Sequence, residues 1–342
     1  MSEDADLARK LERYLGAQVE GAKDLRVEVK GRISRGYSRE NWLFDAEWRE
    51  GGEAVRRKLI LRRDPPGGVS VVDTAREPEF RVLRALERTE IPVPRAHWLE
   101  TTGEWLERPF LVLERYEGTV DPRILTDASP LGIDRDARVR LAGRFCELLA
   151  KIHRLDWRAL GLGEIFAVPN GNPAELELRR AVEFVERSLL EPQPELFEVI
   201  GWLERHVPPA GRVALVHGDF RAENAIVDGE RIVVLLDWEL ARLSDPMADL
   251  AWHMMPITMP FHFIPGAWEP ADLLRRYGEL TGEPVDPARL RFWQVLIMLN
   301  VVAIGMMTAK SFLERRTIFS SLTAGTIRQV VAVLYGMIGD AR

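Results

Sequence analysis

At 342 residues the chain is long for one hydrophobic core and short for three, so two lobes are expected. With 46% apolar and 29% charged residues it has the composition of an ordinary globular protein, which excludes a disordered or fibrous class. The formal net charge of -6 lacks the basic excess with which nucleic-acid-binding domains meet phosphate backbones, so no nucleic-acid partner is expected. The single cysteine, Cys146, excludes an intrachain disulfide and fits a reducing, cytoplasmic setting. Its place among Leu141, Phe145 and Leu148 reads as a small core residue. The acidic N-terminus MSEDADLARK has no apolar h-region, and no signal peptide is expected.

In chain order, a short amphipathic helix is predicted over roughly Leu7 to Leu15, followed by a strand that alternates from Leu25 to Ile33. Strands are predicted near Trp42 to Trp48 and Arg56 to Arg62, joined by a turn at Gly51-Gly52. Pro65-Pro66-Gly67-Gly68 breaks the pattern. Helical spacing returns at Phe80, Leu83 and Leu86 and ends at Ile91-Pro92-Val93-Pro94. Two further strands are expected over Arg95 to Leu99 and Pro109 to Leu113, across a turn at Thr102-Gly103. From about Asp134 helical patterns dominate, apart from a strand-rich island between Ala214 and Leu236. The most apolar stretch, Phe292 to Met307, is shorter than the roughly 20 residues a membrane span needs. It reads as a buried helix, with no membrane partner. The layout is α+β: an antiparallel sheet with a helix, then a mainly helical half with an embedded β-hairpin. The division is expected at 1–115 and 116–342.

The chemistry concentrates in Val216-His217-Gly218-Asp219-Phe220-Arg221-Ala222-Glu223-Asn224 and, further on, Leu236-Asp237-Trp238-Glu239. Asp228-Gly229 between apolar runs signals a hairpin, which returns Asp237 to the neighbourhood of Asn224 and Asp219. Three oxygen ligands beside apolar strands suit a hard cation, and Mg²⁺ takes one or two carboxylates together with phosphate oxygens and waters. Asp237 and Asn224 fit as its protein ligands, which leaves Asp219 to accept a hydroxyl proton and orient a nucleophile. Phosphoryl transfer demands that division, since its catalysis is positioning and charge neutralisation.

His-Gly-Asp-x4-Asn followed by an Asp ending the next strand resembles the aminoglycoside phosphotransferase family, distant relatives of protein kinases. The continuation Leu236-Asp237-Trp238-Glu239-Leu240-Ala241 and Ser244-Asp245-Pro246-Met247-Ala248-Asp249-Leu250-Ala251 resembles one branch of it. That branch comprises kinase-like domains fused to certain acyl-CoA dehydrogenases and their free-standing bacterial relatives. The resemblance implies a two-lobed, protein-kinase-like fold. It implies Asp219 as the catalytic Asp, Asn224 and Asp237 as Mg²⁺ ligands, His217 as a structural residue and Asp249 as a brace for the loop.

The resemblance also gives the first half a nucleotide-binding role. Gly31, Gly36 and Ser38, between two predicted strands, stand where the family has its phosphate loop. Lys58, Ile60 and Arg62 share one strand face. Arg62 takes the place of the commoner Lys, with Glu79 as its helix partner; Lys58 and Glu77 are the alternatives. Glu114 to Tyr116 resembles the segment whose backbone reads the adenine edge. The implied function is ATP-dependent (or another nucleoside triphosphate) transfer of phosphate to a hydroxyl of a small molecule. Between Glu175 and Glu198, acids interleave with Arg179, Arg180 and Arg187, as on a salt-bridged surface rather than in a pocket for polycations. The apolar segment after His253 favours a hydroxyacyl thioester or similar metabolite as acceptor. An aminoglycoside acceptor, or a catalytically silent nucleotide-binding module, are the alternatives. His153 reads as a satisfied core histidine. His253 and His262 lack the i, i+4 spacing of a helical metal pair.

Overall fold

A computed structural model describes residues 3–33, 40–64, 76–314 and 324–339. The chain divides into two compact units, Met1–Glu117 and Gly118–Arg342.

The first unit begins with α1 (Glu3–Gln18), longer at both ends than its apolar stripe predicts, since acidic Glu3, Asp4 and Asp6 suit a helix N-terminus. Five antiparallel strands follow: β1 (Lys23–Ile33), β2 (Glu40–Glu50), β3 (Glu53–Arg63), β4 (Ala96–Glu100) and β5 (Phe110–Glu114). They are ordered β1-β2-β3-β5-β4, with α2 (Arg76–Leu86) between β3 and β4 in sequence. Gly51 and Gly52, with φ of 58° and 91°, make the turn between β2 and β3. Alternation assigns the two faces of the sheet. Trp42, Phe44, Ala46 and Trp48 of β2, with Leu59 and Leu61 of β3, form one core with Leu7, Leu11, Tyr14 and Leu15 of α1. Asn41, Leu43 and Asp45, paired with Arg62, Ile60 and Lys58, therefore occupy the opposite face.

The second unit contains α3 (Arg135–Arg154), α4 (Pro173–Ser188), α5 (Pro194–Arg205), α6 (Met247–His253), α7 (Met259–His262), α8 (Pro270–Thr281), α9 (Pro287–Leu313) and α10 (Ala324–Gly339). Short strands are set among them: β6 (Ala214–Val216), β7 (Ala225–Asp228), β8 (Arg231–Leu235) and β9 (Arg242–Ser244). The hairpin β7-β8 turns at Gly229 and Glu230, one place beyond the Asp228-Gly229 pair, because Asp228 is itself paired with Arg231. The partner of β6 is β9, whose three residues are too few to show an alternation in sequence. Gly118 lies where Thr119 bridges Val227; with φ of 143° and Ile226 Cγ2 only 2.5 Å from where a Cβ would stand, the position takes glycine alone without distortion.

Helix α9 differs from the expectation of a short apolar segment. Asp286 caps it and Pro287 opens it, so it runs for 27 residues. By length and apolarity it would pass as a membrane span, and 67% of its most apolar window is buried inside the unit. Its neighbours include α4, α5, α6 and α10. Buried Asp245 ties its first turns to the start of α6, accepting from Arg289 Nε at 2.8 Å, Arg289 Nη2 at 2.6 Å and Trp293 Nε1 at 3.1 Å.

Candidate active site

In the second unit, β6 delivers the chain into buried His217, Gly218 and Asp219. Asp249, in the first turn of α6, accepts the His217 N–H at 2.7 Å and the Gly218 N–H at 2.8 Å. Oδ2 of Asp249 also lies 3.0 Å from His153 Nε2, and His153 Nδ1 is 2.7 Å from the Tyr277 hydroxyl. Burial works against the Asp249 charge, but the His153 contact and the other donors hold its pKa below the ordinary carboxylate value. His217 has a single tautomer that satisfies both neighbours. Its Nε2 donates to the Leu236 carbonyl at 2.8 Å, and Nδ1 accepts the Asp219 N–H at 3.2 Å. Burial keeps this imidazole neutral by lowering its pKa. The Trp238 ring lies 4.7 Å from the His217 ring, and its indole donates to the Leu235 carbonyl.

Asp219 and Asn224 are joined directly. Asn224 Nδ2 donates to Asp219 Oδ2 at 2.7 Å and to the Asp219 carbonyl at 2.9 Å, which commits the amide nitrogen to Asp219 and makes Oδ1 the atom available to accept. The Leu236 N–H donates to the Asn224 carbonyl at 2.6 Å, so the hairpin closes with Asp237 beside Asn224. Asp237 has φ 64° and ψ 55°, a left-handed conformation that Asp tolerates better than most residues. Arg221 forks over the Asp219 carboxylate: Nη2 donates to Oδ2 at 3.1 Å, while Nε approaches Oδ1 to 2.7 Å without hydrogen-bond geometry. Arg221 Nη1 also meets Glu223 Oε1 at 2.9 Å. Burial, opposed by Arg221 and reinforced by the charge of Asp237, pushes the Asp219 carboxyl up to about 7.

Among the described residues no group of three or more His, Cys, Asp or Glu is arranged to hold a metal ion. One carboxylate and one amide oxygen is instead a donor set suited to Mg²⁺ completed by phosphate oxygens.

In the first unit, Arg62 Nη1 donates to Glu79 Oε1 at 2.7 Å, with Glu79 buried in the first turn of α2. Glu77 is exposed and lies 3.6 Å from Arg81. Lys58 pairs instead with Glu117 at 2.5 Å near solvent. Gly31 sits in β1 at a register shift with φ of 127°; Gly36 and Ser38 lie outside the described residues. The Glu114 and Arg115 N–H groups donate to the carbonyls of Arg95 and Lys58. The Glu114 carboxylate meets His97 Nε2 at 2.5 Å, and the Tyr116 hydroxyl accepts from the Arg95 N–H at 3.4 Å.

Three features escaped the sequence reading. Arg221 and Glu223 were passed over inside the motif, although a cation two residues after an acid was the available signal. His253 and His262 do not share a helix face, yet the chain folds back between them and stacks their rings 4.2 Å apart at 3°. The apolar segment after His253 is divided: Met254, Met255, Phe263, Ile264 and Trp268 are buried in the core, whereas Ile257 is exposed.

The sequence pattern of the phosphotransferase enzyme family (APH) matches residues 31–293. Among curated proteins, mouse acyl-CoA dehydrogenase family member 10 is 32% identical over 210 residues, 60% of this chain but only 19% of that protein. The chain thus spans about a fifth of that relative's length. Among solved structures, a Ralstonia eutropha protein assigned as an aminoglycoside phosphotransferase superposes with a TM-score of 0.70. It has 23% identity and covers 96% of this chain and 95% of its own. The aminoglycoside phosphotransferase APH(4)-Ia, in a complex with ADP and hygromycin B, superposes at 0.61 with 15% identity, covering 96% and 98%. At these identities the structures show a shared fold, the kinase-like α+β fold.

Proposed function

Since the chain belongs to the phosphotransferase enzyme family, we propose that it transfers the terminal phosphoryl group of ATP to a hydroxyl group of a small organic acceptor. The observation that carries this reading is the Asp219–Asn224 pair, with the hairpin bringing Asp237 alongside. In the proposed mechanism Asp219 accepts the proton of the attacking hydroxyl and aims its oxygen. Its raised pKa suits a group that must take up a proton near neutrality. Asn224 Oδ1 and Asp237 would hold Mg²⁺, which supplies neutralisation of phosphate charge. Arg62, steadied by Glu79, would grip nucleotide phosphates as a rigid fork. The Glu114–Tyr116 backbone would meet the adenine, and Gly31, Gly36 and Ser38 would serve the phosphates. The ADP held by APH(4)-Ia supports ATP as donor.

The acceptor we favour is a hydroxyacyl thioester or a similar hydroxylated metabolite. The similarity to a protein named as an acyl-CoA dehydrogenase family member supports it. An aminoglycoside is the second reading, supported by the fold shared with APH(4)-Ia and its hygromycin B. ADP release from MgATP, measured against hydroxyacyl-CoA thioesters, amino alcohols, sugars and aminoglycosides, tests both. One acceptor class should raise turnover in the wild type. Asp219→Asn should lower that turnover by about 10²–10⁴-fold, the worth of a positioned acid–base group, with ATP affinity little changed. Normal turnover by Asp219→Asn would remove the assignment; no turnover with any acceptor would favour the silent module.

A further inference from the structure

The short path from Asp219 to Asn224 is held from outside by two buried histidines that the proposed reaction does not use. His253, the last residue of α6, has Nδ1 3.4 Å from the Phe220 carbonyl. His262, the last residue of α7, has Nε2 accepting the Ala222 N–H at 3.3 Å. Its Nδ1 donates to the His253 carbonyl at 2.7 Å, closing the intervening segment on itself. The rings stack 4.2 Å apart and 3° from parallel, and both side chains are buried. Phe220 packs its ring against His253 at 5.7 Å, which seats the pair against the loop.

The two backbone contacts are adjacent in a way that matters. The Phe220 carbonyl belongs to the peptide plane entering Arg221, and the Ala222 N–H belongs to the plane leaving it. Holding both planes fixes φ and ψ of Arg221, here -140° and 156°, and hence the direction of its Cα–Cβ bond. The guanidinium at the end of that side chain contacts Asp219 and Glu223.

We propose that His253 and His262 are positioning residues for phosphoryl transfer: as a stacked pair they lock the two peptide planes around Arg221 and so hold its guanidinium against Asp219. The proposal rests on the reading of Asp219 as proton acceptor. Arg221 in turn orients the carboxylate that receives the proton, so a tilt of one peptide plane is carried to the reacting oxygen. Small misplacements of that kind cost rate without costing affinity.

The test compares ADP release from MgATP and ATP affinity in variants of the full chain. His262→Phe keeps a flat ring for stacking but loses both backbone contacts and the 3.9 Å approach of Nε2 to Glu223 Oε2, whereas His262→Gln retains an acceptor that can reach the Ala222 N–H. His262→Phe is expected to lower kcat by about tenfold or more, with KM for ATP within about twofold. His262→Gln should recover most of that loss at an unchanged melting temperature. In an Arg221→Gln background, His262→Phe should cost less than about twofold more, because residues acting through one another are not additive. Wild-type kcat in folded His262→Phe overturns the proposal, as does a full additional loss in the Arg221→Gln background. If His262→Phe does not fold, His253→Phe, which frees only the Phe220 carbonyl, should show the same kcat-specific loss, and a wild-type kcat there overturns the proposal. Asp219→Asn serves as the control. Undiminished turnover in that variant removes the underlying reading, while its loss together with a fully active His262→Phe removes only this inference.

Discussion

Lys58 and Arg62 stand on the same face of β3, about 13 Å apart at roughly 3.3 Å per residue, and meet different partners. Arg62 reaches Glu79 in the shelter of α2, whereas Lys58 reaches Glu117 at an exposed edge. If Arg62 grips phosphates, Arg62→Ala should weaken ATP by tenfold or more while leaving adenosine nearly unchanged. Charge-assisted hydrogen bonds contribute about 1.5–3 kcal/mol each. Arg62→Lys should recover part of the loss, and Lys58→Ala should have little effect; calorimetry with ATP and adenosine separates the three. A phosphate-selective loss in Lys58→Ala with none in Arg62→Ala would reverse the assignment. At Asp237, the expected role is to hold a cation rather than to pack. Asp237→Ala should therefore abolish Mg²⁺-dependent nucleotide binding with only the small drop in melting temperature that Ala costs in a left-handed backbone, and a normal Mg²⁺ titration would exclude it as a ligand.

At the scale of elements, the β7-β8 hairpin does two jobs. Its closing bond from Leu236 to Asn224 brings the two proposed ligands together, and its outer strand bridges the chain at Thr119. Gly118 permits that bridge. A Cβ there would stand 2.5 Å from Ile226 Cγ2 and 2.9 Å from the Val227 carbonyl oxygen, in a backbone conformation that L-residues avoid. Gly118→Ala should cost at least the strain of that conformation, about 1–3 kcal/mol. Gly229→Ala is the control for the close approach alone, since its φ of 58° strains an L-residue too but its Cβ would meet nothing within 4 Å. Urea unfolding of the two variants should separate them clearly, and equal midpoints would show that the close approach is not needed. Helix α9 illustrates the opposite design, a long apolar element whose sides are taken up by its neighbours α4, α5, α6 and α10.

For the molecule as a whole, buried neutral histidines predict an acid-sensitive fold. Burial lowers the pKa of His217, and burial is the largest cause that lowers that of His253 well below the ordinary 6.5. The unfolded chain takes up protons at these residues below about pH 6.5 while the folded chain does not. Stability should therefore be full above that pH and fall as pH drops towards the lowered folded values. The slope approaches about 1.4 kcal/mol per pH unit for each histidine. Asp249 adds a second loss at lower pH: its folded pKa lies below the ordinary 3.8, so its contribution is present above 3.8 and disappears as pH falls through the folded value. Denaturation midpoints between pH 5 and 8 would check the histidine arm, and His253→Leu should flatten it. A stability independent of pH across that range would contradict it.

Sequence alone determined those features that depend on local order. The alternation of β2 and β3 separates a core face from the face carrying Arg62, because side chains of a strand must point to opposite sides. The His217–Asn224 motif and the Asp228-Gly229 signal announced a hairpin returning to its start, since turn chemistry is local. What lay beyond local order was decided by tertiary structure. The choice of Glu79 over Glu77 depends on how the first turn of α2 is rotated against the sheet. The length of α9 was set by its cap and its neighbours rather than by its apolar run. The pairing of β6 with β9 and the stacking of His253 on His262 join residues with no shared period, and only burial against a common core brings them together. Of the apolar residues after His253, Met254, Met255, Phe263, Ile264 and Trp268 serve as core while Ile257 stays exposed, because hydrophobicity states that a side chain leaves water but not what it leaves water for.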